Sequence, residues 1–308
     1  MKAGKRLFLL FFLDLILLGA ALILFALFHH VFPRSIGNLY GYTEADSIVI
    51  EDWSSKFPDK FTQDGSVVKT ETSYMDSDLN LTVEKVERDG ICYYVADVYV
   101  RKITCLQTAM ASDTFSTGVA DSTLNMAQKN DAILAVSGDY FGIRQRGIVI
   151  RNGEVFRKSK AHEICVLYYN GTMETYDFSD FDVEMAIAGG AWQAWDFGPR
   201  LLDEEGHAIT EYHPGIAGPN PRVAIGYYEP GHYCLVAVDG RQAHSKGMTL
   251  PELAALFEEM GCASAYNLDG GESAVMTWNG QIFSSPVKGG RDISDIIFFA
   301  PAKEKGEL

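Results

Sequence analysis

The run NLDGGES, from Asn267 to Ser273, places one carboxylate and two glycines between a helix and an apolar strand. Asp269 reads as the residue at the end of a short strand, Ala263 to Leu268, and Gly270 and Gly271 let backbone N–H groups approach a ligand with no Cβ in the way. An anion suits such a place: the N–H groups of Gly270, Gly271 and Glu272 could form a nest, with the Ser273 hydroxyl as a further donor. The same residues also describe an ordinary turn, because Asp-Gly-Gly punctuates loops of every kind. Two more carboxylates share the setting. Asp139 follows the apolar strand AILAVSG, and Asp239 follows an apolar strand in VDGR; each is equally readable as a turn residue. Arg222 and Arg241 could meet phosphate oxygens with their planar forks, or form surface ion pairs. Ser245, with Lys246 and Gly247, precedes a helix and could bind phosphate at its start or simply cap it.

The elements that must position these residues are mostly strands. LNLTVEKVE, a turn at Asp89-Gly90 and ICYYVADVYVRKITC read as a hairpin, with further hairpin turns at Asn152-Gly153 and Asn170-Gly171. TLPELAALFEEMGC is the clearest helix: Thr249 can cap, Pro251 sits in the first turn, Leu253, Leu256, Phe257 and Met260 recur at helical spacing, and Gly261 ends it. A shorter helix is expected over Ser122 to Lys129. The expected class is α+β, a β-rich mixed sheet with a few covering helices. Leu7 to Phe28 is apolar except for Asp14, and predicts one N-terminal transmembrane helix ahead of that body. With Lys2, Lys5 and Arg6 before it, the span predicts a single-pass plasma-membrane protein whose C-terminal part is extracytoplasmic, with the membrane as a partner. The division expected is a tail over 1–6, the anchor over 7–28, a stalk over 29–75, a folded domain over 76–303 and a short tail over 304–308.

A net charge of −15 and the lack of a Lys/Arg cluster outside the N-terminal tail argue against nucleic-acid binding, so an anionic substrate must be met by a few placed arginines. The five cysteines, Cys92, Cys105, Cys165, Cys234 and Cys262, contain no CxxC pair, and the histidines show no metal-ligand spacing. No metal site and no cofactor is firmly implied. Tyr140, Phe141 and Trp278 could stack a sugar or fill the core. Oligomeric state is not readable.

Several segments, in order, resemble the phosphodiester glycosidase family: AILAVSGDYFG, GIVIRNGEV, FGP at Phe197 to Pro199, PRVAIG, VDGRQ, SKGMTLPELAALFEEMGC and NLDGGESAVM. The resemblance covers about Leu79 to Pro301 and identifies 76–303 as the family's domain. It departs at Ser137, where asparagine is common, and at Glu272 and Ala274, where glycine and serine occur. Glu272 would bring negative charge toward a pocket unless paired, and Arg291 in KGGRDISD could be that partner.

The resemblance implies a hydrolase acting on a glycan or sugar phosphodiester, cutting a sugar-1-phosphodiester on its glycosidic side in cell-envelope glycan or exopolysaccharide. Asp139 and Asp269 would be its carboxylate pair, Arg222 or Arg241 would neutralise the leaving phosphate, and Asp239 is a third candidate. Two alternatives stand beside it. One is a non-catalytic glycan-binding or assembly factor on the same fold. The other is a metal-assisted phosphodiesterase with Asp139, Asp239 and Asp269 as oxygen ligands for Ca²⁺ or Mg²⁺.

Overall fold

The computed structural model describes residues 49–302 and, nearer the N-terminus, residues 11, 13, 14 and 16–22. Its strands are β1 (Val68–Lys69), β2 (Ser73–Met75), β3 (Leu79–Arg88), β4 (Ile91–Val100), β5 (Leu106–Met110), β6 (Leu134–Ser137), β7 (Val149–Arg151), β8 (Glu154–Arg157), β9 (Ile164–Tyr168), β10 (Met173–Tyr176), β11 (Ala191–Trp195), β12 (Arg222–Glu229), β13 (His232–Val238), β14 (Ser264–Leu268), β15 (Met276–Trp278), β16 (Gln281–Ile282) and β17 (Asp295–Phe299). They form three sheets, ordered β1-β2-β3-β4-β13-β12-β14, β10-β9-β11-β7-β8 and β16-β15-β6-β17-β5. The β-rich body with covering helices matches the expected class, but in place of one mixed sheet there are three, and every named ladder is antiparallel.

Local chemistry explains much of this. Asp89 and Gly90 both take positive φ, 55° and 74°, which turns β3 into β4 with the twist the strands need, and Asn152-Gly153 does the same between β7 and β8. Along β3, Leu79, Leu81 and Val83 face inward while Thr82 and Glu84 face solvent, the period-two pattern of a half-buried strand. Helix Leu250–Glu259 carries the full capping box, Thr249 with Glu252, and buries Leu253, Ala254, Leu256 and Phe257 against residues of β12, β13 and β14. A second helix, Thr123–Lys129, is capped by Ser122. Side chains from all three sheets share the largest core cluster, among them Leu81, Val98, Leu134, Leu167, Trp195, Tyr266 and Phe299.

The segment read as a stalk is, from Trp53 onward, part of this body. Trp53 and Phe61 are buried, β2 pairs with β3, and Trp53 belongs to the main core. Its polar sequence hid these few anchors.

The expected transmembrane helix over 7–28 is corrected, and with it the membrane partner and the single-pass location. Among the described residues no helix is long and apolar enough to cross a membrane. The unbroken described stretch there, residues 16–22, is helical. Such a stretch rises about 10 Å, a third of a hydrocarbon core of about 30 Å. The other positions of the predicted span lie outside the described residues, as do the tails over 1–6 and 304–308 and residues 29–48.

Candidate functional site

Two strand ends from different sheets are stitched together beside a cleft. The Asp269 amide, just past β14, donates to Gly138 O at 3.0 Å, and the Ser137 hydroxyl at the end of β6 donates to Asp269 O at 3.2 Å. Ser137, a departure from the family pattern, thus holds the backbone of the leading candidate. The cleft has a volume of about 720 Å³ and brings together Asp269, Gly270, Gly271, Glu272, Arg222, Arg241 and Arg291. Ser273 lies beneath, bonded to Arg291.

Asp269 is buried, and its Oδ2 accepts from Arg291 Nη2 at 3.2 Å. Burial pushes its carboxyl above the ordinary value, while Ser273 and Arg291 pull the other way by favouring the charged form. Arg291 donates from Nε and Nη2 to Ser273 Oγ and lies 4.7 Å from the Tyr140 ring centre. It is therefore partner to Asp269 and Ser273. Glu272 has a different partner, Lys288, at 2.6 Å, which holds its carboxyl below the usual range.

Arg222 and Arg241 have no carboxylate partner among the described residues. Arg222, at the start of β12, donates to the carbonyls of Met248, Ile216 and Gly218, and burial together with repulsion from Arg241 pushes it down to about 10. Arg241 is held by Asn220 Oδ1 at 2.8 Å from Nη2. Its guanidinium lies 3.6 Å from where a Cβ on Gly271 would sit, and Gly271 itself takes φ +63°. A side chain there would be strained by that backbone conformation, though its Cβ would only touch the arginine at ordinary contact distance. The proposed backbone nest is smaller than three donors, because the Gly271 N–H is spent on Pro221 O at 2.9 Å.

The remaining candidates sit elsewhere. Asp139 Oδ2 is 2.9 Å from Arg151 Nη2, which is also 2.8 Å from Asp295 Oδ2; all three are buried away from the cleft lining. Asp239 accepts from Tyr94, His244 and the Ser285 amide. Ser245 donates to Asp239 O and accepts from the Cys92 amide, so its hydroxyl is occupied inside the fold. Asp139, Asp239 and Asp269 do not converge on an ion position among the described residues; the one group there with such spacing is Cys92, Asp239 and His244. Phe141 stacks on Phe115 in a core cluster, and Trp278 is buried with its N–H on Glu71 O.

Beside Asn267 of the NLDGGES run, the cleft contains residues the sequence reading missed: Arg144, His162, Glu163 and Asn220. Arg144 donates to Asp196 O and lies over the Phe197 ring. His162 Nδ1 lies 3.0 Å from Asp196 Oδ1. Burial raises the Glu163 carboxyl, against the pull of the Arg200 amide and guanidinium. A usable signal existed for the His162–Asp196 pair: each flanks an apolar strand, HEICVLYY and AWQAWD, and β9 and β11 pair with Trp195 opposite Cys165, so the two polar ends meet.

The family model described as "Phosphodiester glycosidase" matches residues 130–300, more than half of the chain. Over 222 residues the chain is 28% identical to the SPbeta prophage-derived uncharacterized protein YomE of Bacillus subtilis (strain 168), a match covering 64% of this chain and 34% of that relative. The chain thus spans about a third of that relative's length. Among solved structures, the catalytic domain of zebrafish N-acetylglucosamine-1-phosphodiester alpha-N-acetylglucosaminidase, auto-inhibited by its pro-peptide, superposes with a TM-score of 0.58 at 18% identity, covering 72% of this chain and 82% of that one. That likeness is one of fold.

Proposed function

The chain belongs to the phosphodiester glycosidase family, and from that premise we propose that its cleft hydrolyses a sugar-1-phosphodiester of a glycan at the bond between the anomeric carbon and the bridging oxygen. The observation that carries this reading is the charge of the cleft. In a chain of net charge −15, four arginines line one depression, and Arg222 and Arg241 form no ion pair with an acid among the described residues. Two guanidinium groups without a carboxylate partner are the natural receptor for a phosphodiester.

Asp269 lines the same cleft. Its carboxylate, which burial pushes above the ordinary value and Ser273 and Arg291 draw back toward the charged form, would in that form stabilise the positive charge that develops at the anomeric carbon. The leaving group decides how much acid catalysis is needed. A phosphomonoester has a second pKa of about 6, so at neutral pH it departs largely as a dianion. Neutralisation by Arg222 and Arg241 can then stand in for the proton that an ordinary glycosidase must supply. Asp139 has no part in this scheme, since its carboxylate is engaged with buried Arg151.

The test is release of free sugar by the full chain from the methyl phosphodiesters of N-acetylglucosamine-1-phosphate and glucose-1-phosphate, with and without a chelator. Free sugar and methyl phosphate, formed in the presence of chelator, support the reading. Sugar phosphate and methanol would mean attack at phosphorus, and binding without turnover would leave a glycan-binding protein.

A further inference from the structure

Hydrolysis at the anomeric carbon needs a group to take the proton of the attacking water, and the carboxylates of the cleft are already engaged. Asp269 is bound to Arg291, and Glu163 accepts from the Arg200 amide with its other oxygen 3.6 Å from the Arg200 guanidinium. His162 differs. It lines the cleft, its side chain is 49% exposed, and its Nδ1 rests on Asp196 Oδ1 at 3.0 Å.

Asp196 is a firmly anchored acceptor. Its side chain is 1% exposed, and its two oxygens accept from the amides of Ile148, Ala161 and His162 as well as from the ring. A carboxylate with that many N–H donors is an acceptor, so the ring must present Nδ1–H to it. The opposite nitrogen, Nε2, is then a bare acceptor with no partner among the described residues, on the edge of the ring turned away from Asp196. A histidine whose tautomer is fixed by a buried carboxylate and whose other nitrogen is free at a cleft has the arrangement of a general base.

Resting on the hydrolytic reading above, we propose that His162 takes the proton of the attacking water and that Asp196 is its positioning residue. The water oxygen bonds to the anomeric carbon while the bond from that carbon to the bridging oxygen breaks, its electron pair leaving on the phosphomonoester. The water proton passes to Nε2 and then to solvent, which regenerates the neutral ring. Asp196 stabilises the transient imidazolium and prevents the ring from turning.

The experiment uses the full chain and the two methyl phosphodiesters named above, with sodium azide as an alternative nucleophile. His162→Gln is expected to lower kcat with water on the order of 100-fold, with KM changed by no more than about twofold. Azide should restore turnover, yielding glycosyl azide, because an anion attacks without a proton to lose. Asp196→Asn should give the same azide rescue with a smaller loss, whereas His207→Gln, a histidine outside the cleft lining, should behave as wild type. Unchanged kcat in His162→Gln, or a loss that azide does not repair, overturns the role of His162 and leaves the hydrolytic reading standing. No sugar released by the wild-type chain from either compound overturns both.

Discussion

Two constellations of arginine and aspartate lie on either side of one backbone junction, and they have opposite fates. In the interior, Arg151 sits between Asp139 and Asp295, with side-chain exposures of 2%, 3% and 0%. At the cleft, Arg291 reaches Asp269 with exposures of 43% and 9%. The junction is the backbone hydrogen bond from Asp269 N to Gly138 O, reinforced by the Ser137 hydroxyl on Asp269 O, so the two carboxylate-bearing segments are neighbours in space. In the interior triad both acids are spent on one cation, which ties β6, β7 and β17 together across two sheets. In the cleft the balance is reversed, with arginines in excess of acids. Identical side-chain chemistry is closed into the interior or left open to a cleft according to which side of a strand end meets solvent.

The largest expected effect separates the two. Asp269→Asn should reduce sugar release on the order of 1,000-fold, since it removes the carboxylate that meets the developing charge, yet leave the urea unfolding midpoint nearly unchanged. Arg151→Met should do the converse. Removing one partner from a buried ion pair costs about 3–5 kcal/mol, so equilibrium unfolding should shift by that amount, with loss of activity only in proportion to loss of folded chain. If the two variants exchanged these behaviours, the assignment of roles would be reversed.

Arg222→Gln should weaken competitive inhibition by inorganic phosphate by about 10- to 100-fold, the worth of charge-assisted hydrogen bonds, and titration of phosphate against activity reads this directly. The interior triad also predicts a pH dependence. Burial pushes the Asp295 carboxyl up to about 7, against the pull of Arg151 and with the push of Asp139, whereas the unfolded value lies near 3.8. Between those values the folded chain holds the extra proton, so this contribution to stability is full below about 4 and is lost as pH rises toward 7. Urea midpoints measured across that window should fall with pH in wild type and fall less in Asp295→Asn. The smallest effect belongs to Glu272. Its pairing with exposed Lys288 already masks its charge, so Glu272→Gln should improve phosphate affinity by no more than about twofold.

What could be read in the sequence was what local chemistry determines. The Asp89-Gly90 and Asn152-Gly153 turns impose their own backbone geometry, and the Thr249–Glu252 capping box closes within a single helical turn, so these elements stand where the residues indicate. The cluster Asp269, Gly270, Gly271 and Glu272 is contiguous and was visible for the same reason. Asp139 and Asp269 read as a working pair, with Asp269 ahead, because each follows an apolar strand; what separates their roles is made by Arg151 and Asp295, which come from other strands. The sequence points to Arg291 but pairs it with Glu272; the fold bonds it to Ser273, 18 positions away, and Asp269, 22 positions away, and gives Glu272 to Lys288. His162 and Asp196 are 34 residues apart and meet only through the pairing of β9 with β11. The buried anchors Trp53 and Phe61 were masked by a polar segment with no period.

The most direct test of the central claim is to run the reaction in ¹⁸O-labelled water and to find which product carries the label. Breaking the bond at the anomeric carbon places ¹⁸O in the released sugar and none in the methyl phosphate, and Asp269→Asn should abolish that incorporation. Label in the phosphate, or incorporation into the sugar that persists undiminished in Asp269→Asn, would contradict the account.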